Sequence, residues 1–452
     1  MISDRYCQTV PLGSASFPSL RPILYLLMTI IVAVIITVFA DPALSLGDTS
    51  VLAATGFICI GIFLWQMRSA SMGVLRLVFV LLALHAVVGY LIAASSVPWI
   101  VAGTLDDRAF SLSFAVIASG LMVASFAFHH FAPSRGWLPR VDTEKLVRLA
   151  KWMTAGAAVG LFYFYNKNKL LPWRVDILSM GELRYQISGV DEWLINRSVD
   201  VLMITVPLLF LFKGAAKLFS LMGLLGLAIT FTRAPILAVI LVVVLAHVIR
   251  TGKLWKLLLT VSAALSVYAV SQLFYSGVLR GEMALENAYL SMASGLPEVR
   301  DLGWILWLNG RNWHWGTTLL QPVLPIPSFM SPWIQKHGLR SLTTKMIGYD
   351  WEEMGGLRIT LAGEGYLNFA VVGAMALGAL WGWGMRKISG VVKAAGESGG
   401  VVDAYFAALL VSWMAFWIHL GGSQASGVVR SGALLLAGML YCCRVESSNV
   451  KV

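Results

Sequence analysis

Twelve apolar runs punctuate the chain, at about 22–40, 50–66, 77–97, 111–131, 149–165, 199–212, 218–232, 234–249, 257–276, 366–385, 404–420 and 427–443. A helix needs about 20 apolar residues to cross a bilayer. The pattern therefore predicts an all-α polytopic integral membrane protein with about 12 transmembrane helices, several of them short. Polar connectors between the runs are brief except at 166–198 and 277–365. The chain divides accordingly into 1–276, with nine spans and the smaller loop; 277–365, a large loop; and 366–452, with spans ten to twelve and a tail. Long ordered loops are uncommon unless they bind or catalyse, so function is expected in 277–365.

The count depends most on Leu218 to Arg250, which is interrupted only by Thr232-Arg233-Ala234-Pro235. One long helix would put Arg233 at the bilayer centre, at a cost of at least about 2.5–3.5 kcal/mol. Two short helices with a tight turn fit better, because Pro235 then falls in a first helical turn, where its missing N–H is not needed.

Composition agrees with the membrane reading and adds a direction. The 452 residues are 58% hydrophobic and 13% charged, against about half and a quarter in soluble proteins. A soluble enzyme, a nucleic-acid binder and a disordered scaffold are excluded. With the termini cytoplasmic, the inner segments hold nineteen of the 34 basic residues and six of the 23 acidic ones. The formal charge of +11 is then a positive-inside signal, and no nucleic-acid partner is needed to explain it. The N-terminus has no short apolar core followed by a small-residue cleavage site, so the first span is expected to be the insertion signal. Cys7, Cys59, Cys442 and Cys443 have neither a disulfide framework nor zinc spacing. No phosphate-binding glycine loop is present, which argues against ATP as the energy source, and no internal repeat is evident.

The large loop collects Arg280, Arg300, Arg311, Arg340 and Arg358 with Trp304, Trp307, Trp313, Trp315, Trp333 and Trp351. Guanidinium groups grip phosphates through paired N–H donors, and tryptophan covers sugar faces or anchors in headgroups. A lipid-linked saccharide presents both surfaces. The bland alternative is an amphipathic helix around Asp301–Gly316 that floats on the bilayer. Arg233, at an outer turn, either holds a diphosphate or snorkels to lipid phosphates. Glu364, between Gly363 and Gly365 just before the tenth span, is either a general base orienting an acceptor hydroxyl or an acid favoured by a helix N-terminus. Arg184 pairs with Glu182 or binds substrate from the smaller loop, and Arg280 binds substrate or marks a membrane boundary. His314, between Trp313 and Trp315, titrates near neutral pH. Asp106-Asp107 reads as a solvated turn, and His85 as a lone core histidine bonded to a neighbouring helix.

The Thr230-Phe231-Thr232-Arg233-Ala234-Pro235 turn resembles the Ser/Thr-Arg-Gly/Ala-Pro turn of Wzy-type O-antigen polymerases, the bacterial oligosaccharide repeat-unit polymerases. Gly363-Glu364-Gly365-Tyr366-Leu367-Asn368-Phe369-Ala370-Val371-Val372-Gly373 is similar to their Gly-Glu-x-Tyr-x-Asn-Phe-Gly-x-x-Gly segment, with Ala370 where the family more often has glycine. Gly310–Pro332, with Leu-Pro-Ile-Pro at 324–327, looks like their proline-punctuated outer loop. The likeness covers about residues 200–385; the first half matches in hydropathy alone.

The resemblance implies a GT-C-like glycosyltransferase in the bacterial inner membrane with its large loop periplasmic. It would join repeat units carried on undecaprenyl diphosphate, which serve as donor and acceptor, without ATP, metal or other cofactor. Arg233, Arg311 and Arg358 would hold the diphosphate, Glu364 would hold the acceptor hydroxyl, and Glu364 and Arg358 would be catalytic. Arg184, Arg280, Trp313, His314 and Tyr366 would contact substrate, and membrane lipids and a Wzz-type chain-length regulator would be partners. The alternatives are an O-antigen ligase, or another polyprenyl-linked sugar transferase, and a flippase for the lipid-linked unit.

Overall fold

The computed structural model describes residues 21–40, 48–68, 73–95, 107–134, 136–171, 187, 189–230, 233–256, 258–260, 262–263, 266, 298–309, 313–320, 331–346 and 359–445. These residues are almost entirely helical; β pairing among them is limited to one isolated bridge, Val141 to Arg444. The helices are α1 (Arg21–Phe39), α2 (Asp48–Met67), α3 (Gly73–Ser95), α4 (Asp107–His130), α5 (Thr143–Lys167), α6 (Gly189–Phe210), α7 (Ala215–Ile229), α8 (Arg233–Thr251), α9 (Glu298–Asn309), α10 (Thr317–Leu320), α11 (Pro332–His337), α12 (Leu339–Met346), α13 (Leu361–Ser398) and α14 (Val401–Cys442). Seven stretches among the described residues are long and apolar enough to cross a membrane: α1, Thr49–Met67, Gly73–Ala93, α4, α6, α13 and Val401–His419. Ala215–Ile229, Pro235–Thr251 and Ser431–Cys442 are apolar but shorter. The protein is thus an all-α membrane protein. The ninth apolar run, 257–276, falls largely outside the described residues.

The helix ends meet as an alternating up-and-down path requires. His129 Nε2 lies 3.0 Å from the Gln66 carbonyl, Ser134 Oγ donates to the Lys387 carbonyl at 2.6 Å, and Asp142 N donates to the Cys443 carbonyl at 2.8 Å. Gly73 sits against Leu254, and Gly396 against the Ile249 carbonyl. These segments include Arg68, Arg140, Lys145, Arg250, Lys253, Arg386, Lys387, Lys393 and Arg444, so one end of the bundle is strongly basic. From that end α7 rises beside α5 and α6: Gly223 packs on Thr154 and Val206, Gly226 on Ala158 and Leu202, and Tyr165 Oη donates to the Thr230 carbonyl at 3.4 Å. After Arg233, α8 returns to the basic end. Leu218 to Arg250 is therefore two antiparallel helices joined at the far end.

Two longer helical stretches also double back. As a straight rod the 42 residues of α14 would reach about 63 Å. Yet Gly432 packs on the Trp413 ring, the Phe406 ring meets Trp137 at 6.1 Å, and Cys443 meets Asp142. The chain reverses between Trp413 and Gly432, so α14 is a hairpin with both feet at the basic end. Its second leg is tied to α6 by a buried cluster, in which Ser431 Oγ donates to Asp200 Oδ2 at 2.7 Å and Arg197 Nη1 lies 2.8 Å from the same oxygen.

α13 breaks at Phe369 (φ −142°, ψ 29°) and Ala370 (φ 54°, ψ −150°). In an unbroken helix Gly365 and Gly373 would be about 12 Å apart. Here a Cβ on either glycine would run into the carbonyl oxygen of the other. Leu361–Asn368 is thus a short re-entrant helix lying against the rest of α13, and it begins deep in the bundle, where Ala362 and Ala374 both flank Gly120 of α4.

The bundle centres on α4, which is buried on nearly every side; such all-round apolarity marks an enclosed helix. Small residues let α13 approach its backbone. A Cβ on Gly378 would collide with the Gly120 carbonyl, and one on Gly382 with that of Ala124, in the small-xxx-small manner of membrane helix pairs. α9 packs on the same helix, with Gly303 against Phe110 and with Ser113 Oγ donating to the Val299 carbonyl at 2.7 Å. Val299, Asp301, Leu302, Trp304, Ile305 and Leu306 are buried. The expectation of a helix floating on the bilayer around Asp301–Gly316 is corrected here: Glu298–Asn309 is inserted in the bundle, and Trp304 is core, although Trp307 and Trp315 are exposed. Part of the 277–365 loop is therefore interior, and the helix of the tenth apolar run, α13, begins at Leu361, before the run at 366.

Gly382→Ala is expected to destabilise the detergent-solubilised protein by about 1–3 kcal/mol through overpacking, whereas Gly438→Ala, with open space at its Cβ position, gains slightly from helix propensity. Thermal unfolding of both variants checks this; equal midpoints would contradict the close approach of α4 and α13.

Candidate functional site

The re-entrant helix gathers the candidate residues. Its first turn is set by Thr360, whose extended backbone (φ −70°, ψ 164°) and Oγ1, accepting the Gly363 N–H at 3.1 Å, form an N-cap. Glu364 follows in that turn, and its N–H donates to the Thr360 carbonyl at 2.9 Å. The side chain of Glu364 is fully buried. An acid in a first turn is favoured by the helix dipole, but a carboxylate inside an apolar bundle costs several kcal/mol unless it is compensated. α9 closes one side, because Leu302 packs on Gly363, where a Cβ would come within 2.9 Å of its methyls. On α9 the adjacent Arg300 and Asp301 pair, with Nε and Nη2 donating to Oδ1 at 2.8 and 2.6 Å.

Asn368 locks the other end. It is fully buried; Nδ2 donates to the Glu364 carbonyl at 2.8 Å and to Thr318 Oγ1 at 2.7 Å, and Oδ1 accepts the Gly316 N–H at 2.8 Å. A second tie runs from His314 N–H to the Leu367 carbonyl at 3.1 Å. The 313–318 segment turns tightly there. Trp315 and Gly316 adopt φ 47° and 82°, and Thr317 N and Oγ1 both donate to the His314 carbonyl, at 3.0 and 2.8 Å. Trp313 meets Tyr366 edge to face at 5.6 Å. Partial burial holds the His314 imidazole below the usual histidine range, so it is neutral near pH 7 and presents one donor and one acceptor nitrogen.

Beneath the re-entrant helix lies a small cavity of about 30 Å³, lined by His85, Gly120, Thr360, Leu361, Gly378 and His419 among others. At the ~10–15 Å³ a water requires, it is the size of two or three. The His85 and His419 rings are 4.3 Å apart, tilted by 58°. His85 is therefore not the lone histidine expected, since its ring meets that of a second histidine, on the neighbouring α14. Among the described residues no three His, Cys, Asp or Glu side chains converge as a metal site would need.

Glu364, Tyr366, Trp313 and His314 are thus brought together from two stretches some fifty residues apart. Arg184, Arg280, Arg311 and Arg358 lie outside the described residues. Arg233 opens α8 at the same far end of the bundle as the re-entrant turn, and its side chain is likewise outside them. Asn368 and Thr318, which hold the site together, were not among the expected site residues; Asn368 stood only as one match within the Gly-Glu-x-Tyr-x-Asn-Phe segment, and its further signal was a polar amide four residues after Glu364 in an otherwise apolar run. His419 carried no signal beyond its position in the eleventh apolar run.

No family model, curated protein or solved structure matches the chain. The class defined by the fold is a helical membrane protein whose far half contains a re-entrant helix.

Ala370 occupies a conformation that is essentially restricted to glycine, at a cost of about 1–3 kcal/mol. Ala370→Gly is expected to stabilise the protein by about 1 kcal/mol, read as a raised unfolding midpoint in detergent. A lowered midpoint would show that the reversal is not formed at Phe369–Ala370.

Proposed function

We propose that the protein polymerises undecaprenyl-diphosphate-linked oligosaccharide repeat units, with the far end of the bundle facing the periplasm and about twelve helices crossing the inner membrane in a GT-C-like layout. The observation that carries this reading is the re-entrant helix, which buries Glu364 and draws Trp313, His314 and Tyr366 of the motif-bearing stretches to one place. Ionisable residues inside a membrane bundle are expensive to keep and mark functional sites more often than not. The basic end, read by the positive-inside rule, is then cytoplasmic.

In the proposed reaction the bond between the anomeric carbon of the growing glycan and its diphosphate oxygen breaks, and undecaprenyl diphosphate leaves with the electron pair. The acceptor hydroxyl forms the new glycosidic bond and gives its proton to the Glu364 carboxylate. Arg233, Arg311 and Arg358 stabilise charge on the leaving diphosphate, where fixed cations in a water-poor site contribute most. Neutral His314 and the Trp313–Tyr366 pair orient the sugars. Because Glu364 is fully buried, substrate reaches it only when the packing around the re-entrant helix opens, a gating motion of the kind that often limits turnover.

A second reading, a flippase for the same lipid-linked unit, draws support from the broken helix and the neighbouring His85 and His419 rings, because transporters concentrate discontinuous helices and polar groups near the midplane. The two are separated in cells lacking their own polymerase. Glu364→Gln, at parental membrane abundance, is expected to abolish the polymer ladder and leave lipid A core capped by a single repeat. Parental ladders would overturn the assignment of Glu364. Polymer stranded on undecaprenyl diphosphate after loss of the protein would indicate a ligase, and repeat units left facing the cytoplasm a flippase.

A further inference from the structure

At the basic end, remote from the re-entrant helix, the start of α3, the end of α4, the residues Pro133, Ser134 and Gly136 and the tail of α13 line a second cavity of about 380 Å³, within the range of small-ligand sites. Its floor is apolar, from Leu75 and Phe128, and its polar wall carries Arg386, Lys393, Ser134 and Glu397. Arg386 is held in place: Nε donates to the Phe131 carbonyl at 3.0 Å, and the guanidinium lies 5.3 Å from the centre of the Phe128 ring. Among the described residues its two terminal amino groups make no hydrogen bond, so a fixed fork of donors is left for a ligand. Lys393 sits two turns further along α13, only 3.9 Å from Glu397 in an exposed pair, which is weak and readily exchanged.

The height of the cavity relative to the bilayer is marked by its neighbours. Arg68 lies over the exposed Trp65 at 5.4 Å, and Lys387 over the exposed Trp383 at 6.0 Å. Tryptophan and basic residues paired in this way sit at the headgroup level. The cavity begins at that level, at Arg386, and extends along α13 to Lys393, about 10 Å further by helical rise, which is the depth of a headgroup layer.

We propose that this cavity binds a phosphorylated anion at the membrane surface, gripped by Arg386 and Lys393, with the headgroup of an anionic phospholipid as its source. A guanidinium fork matches phosphate oxygens in pairs, and lysine adds a point charge. Leu75 and Phe128 close the apolar floor beneath the charged wall. Basic pockets between helices at this level recognise anionic headgroups by the same chemistry. The proposal is independent of the reaction assigned to the far end.

The test uses the full-length protein in maltoside detergent, titrated with short-chain phosphatidylglycerol, with phosphatidylcholine of equal chain length, and with inorganic pyrophosphate, while the unfolding midpoint is followed. Phosphatidylglycerol is expected to raise the midpoint saturably and phosphatidylcholine is not. Lys393→Ala, at a side chain 70% exposed and paired only weakly with Glu397, and Arg386→Gln are each expected to weaken the effect about fivefold. Lys393→Glu should abolish it. Saturable stabilisation by pyrophosphate alone, lost in the same variants, would support the phosphate site and overturn the lipid as its source. Equal responses to the two lipids, or Lys393→Ala and Lys393→Glu binding like the parent, would overturn the proposal outright.

Discussion

A helix that stops inside a lipid-embedded bundle leaves backbone N–H and C=O groups where no water can bond them, and each such group costs several kcal/mol if left unmet. The far half of this protein is organised around two such ends. Thr360 caps the start of the re-entrant helix with its hydroxyl, and Asn368 closes its end by bonding the Glu364 carbonyl while gripping Gly316 and Thr318. The requirement for internal satisfaction thereby fixes which loop covers the site. The 313–318 segment is docked because Asn368 and the Leu367 carbonyl need it as much as it needs them. The glycines follow from the same constraint, since Gly365 and Gly373 allow the chain to fold upon itself, and Gly120, Gly378 and Gly382 leave room for the doubled strand of helix beside α4.

Much of the bundle was legible in hydropathy. The apolar runs coincide with α1 to α4, α7 and α8 to within about four residues, whereas α5 begins at Thr143 and α6 at Gly189, six and ten residues before the runs at 149 and 199, so that 189–198, expected in the smaller loop, is helix. The Thr232–Pro235 interruption corresponds to the reversal between α7 and α8, because a basic residue and a proline together are poorly tolerated in mid-helix. The re-entrant helix was not legible. The run at 366–385 reads as one continuous apolar stretch, and nothing in its periodicity reveals a break at Phe369–Ala370; Ala370 conceals the reversal because glycine, the residue that ordinarily announces such a backbone, is absent. The insertion of α9 was hidden for a related reason. Arg300 and Asp301 make the segment look like a surface helix, and their mutual neutralisation is visible only in three dimensions.

The candidate site was partly legible. Glu364, Tyr366, Trp313 and His314 were each marked by residue type and by flanking glycine or tryptophan. Asn368 and Thr318 were passed over because a buried amide and hydroxyl carry no charge to attract notice. His419 illustrates a limit of single-sequence reading, since two histidines more than three hundred residues apart, each alone in an apolar run, give no sign that their rings meet. Charge, by contrast, was legible at long range. The basic segments expected on one side of the membrane do assemble at one end of the bundle, and there they line a cavity suited to an anion.

The doubled-back course of α13 supports the account at every level, and its geometry can be measured directly. Leu361 and Gly378 line one cavity, so spin labels at Leu361 and Leu377 in the protein reconstituted in lipid are expected to lie well short of the roughly 24 Å that sixteen residues span in an unbroken helix, giving strong dipolar broadening. A distribution centred near 24 Å would mean that the helix runs straight through Phe369 and Ala370, and the buried site built on their reversal would not exist.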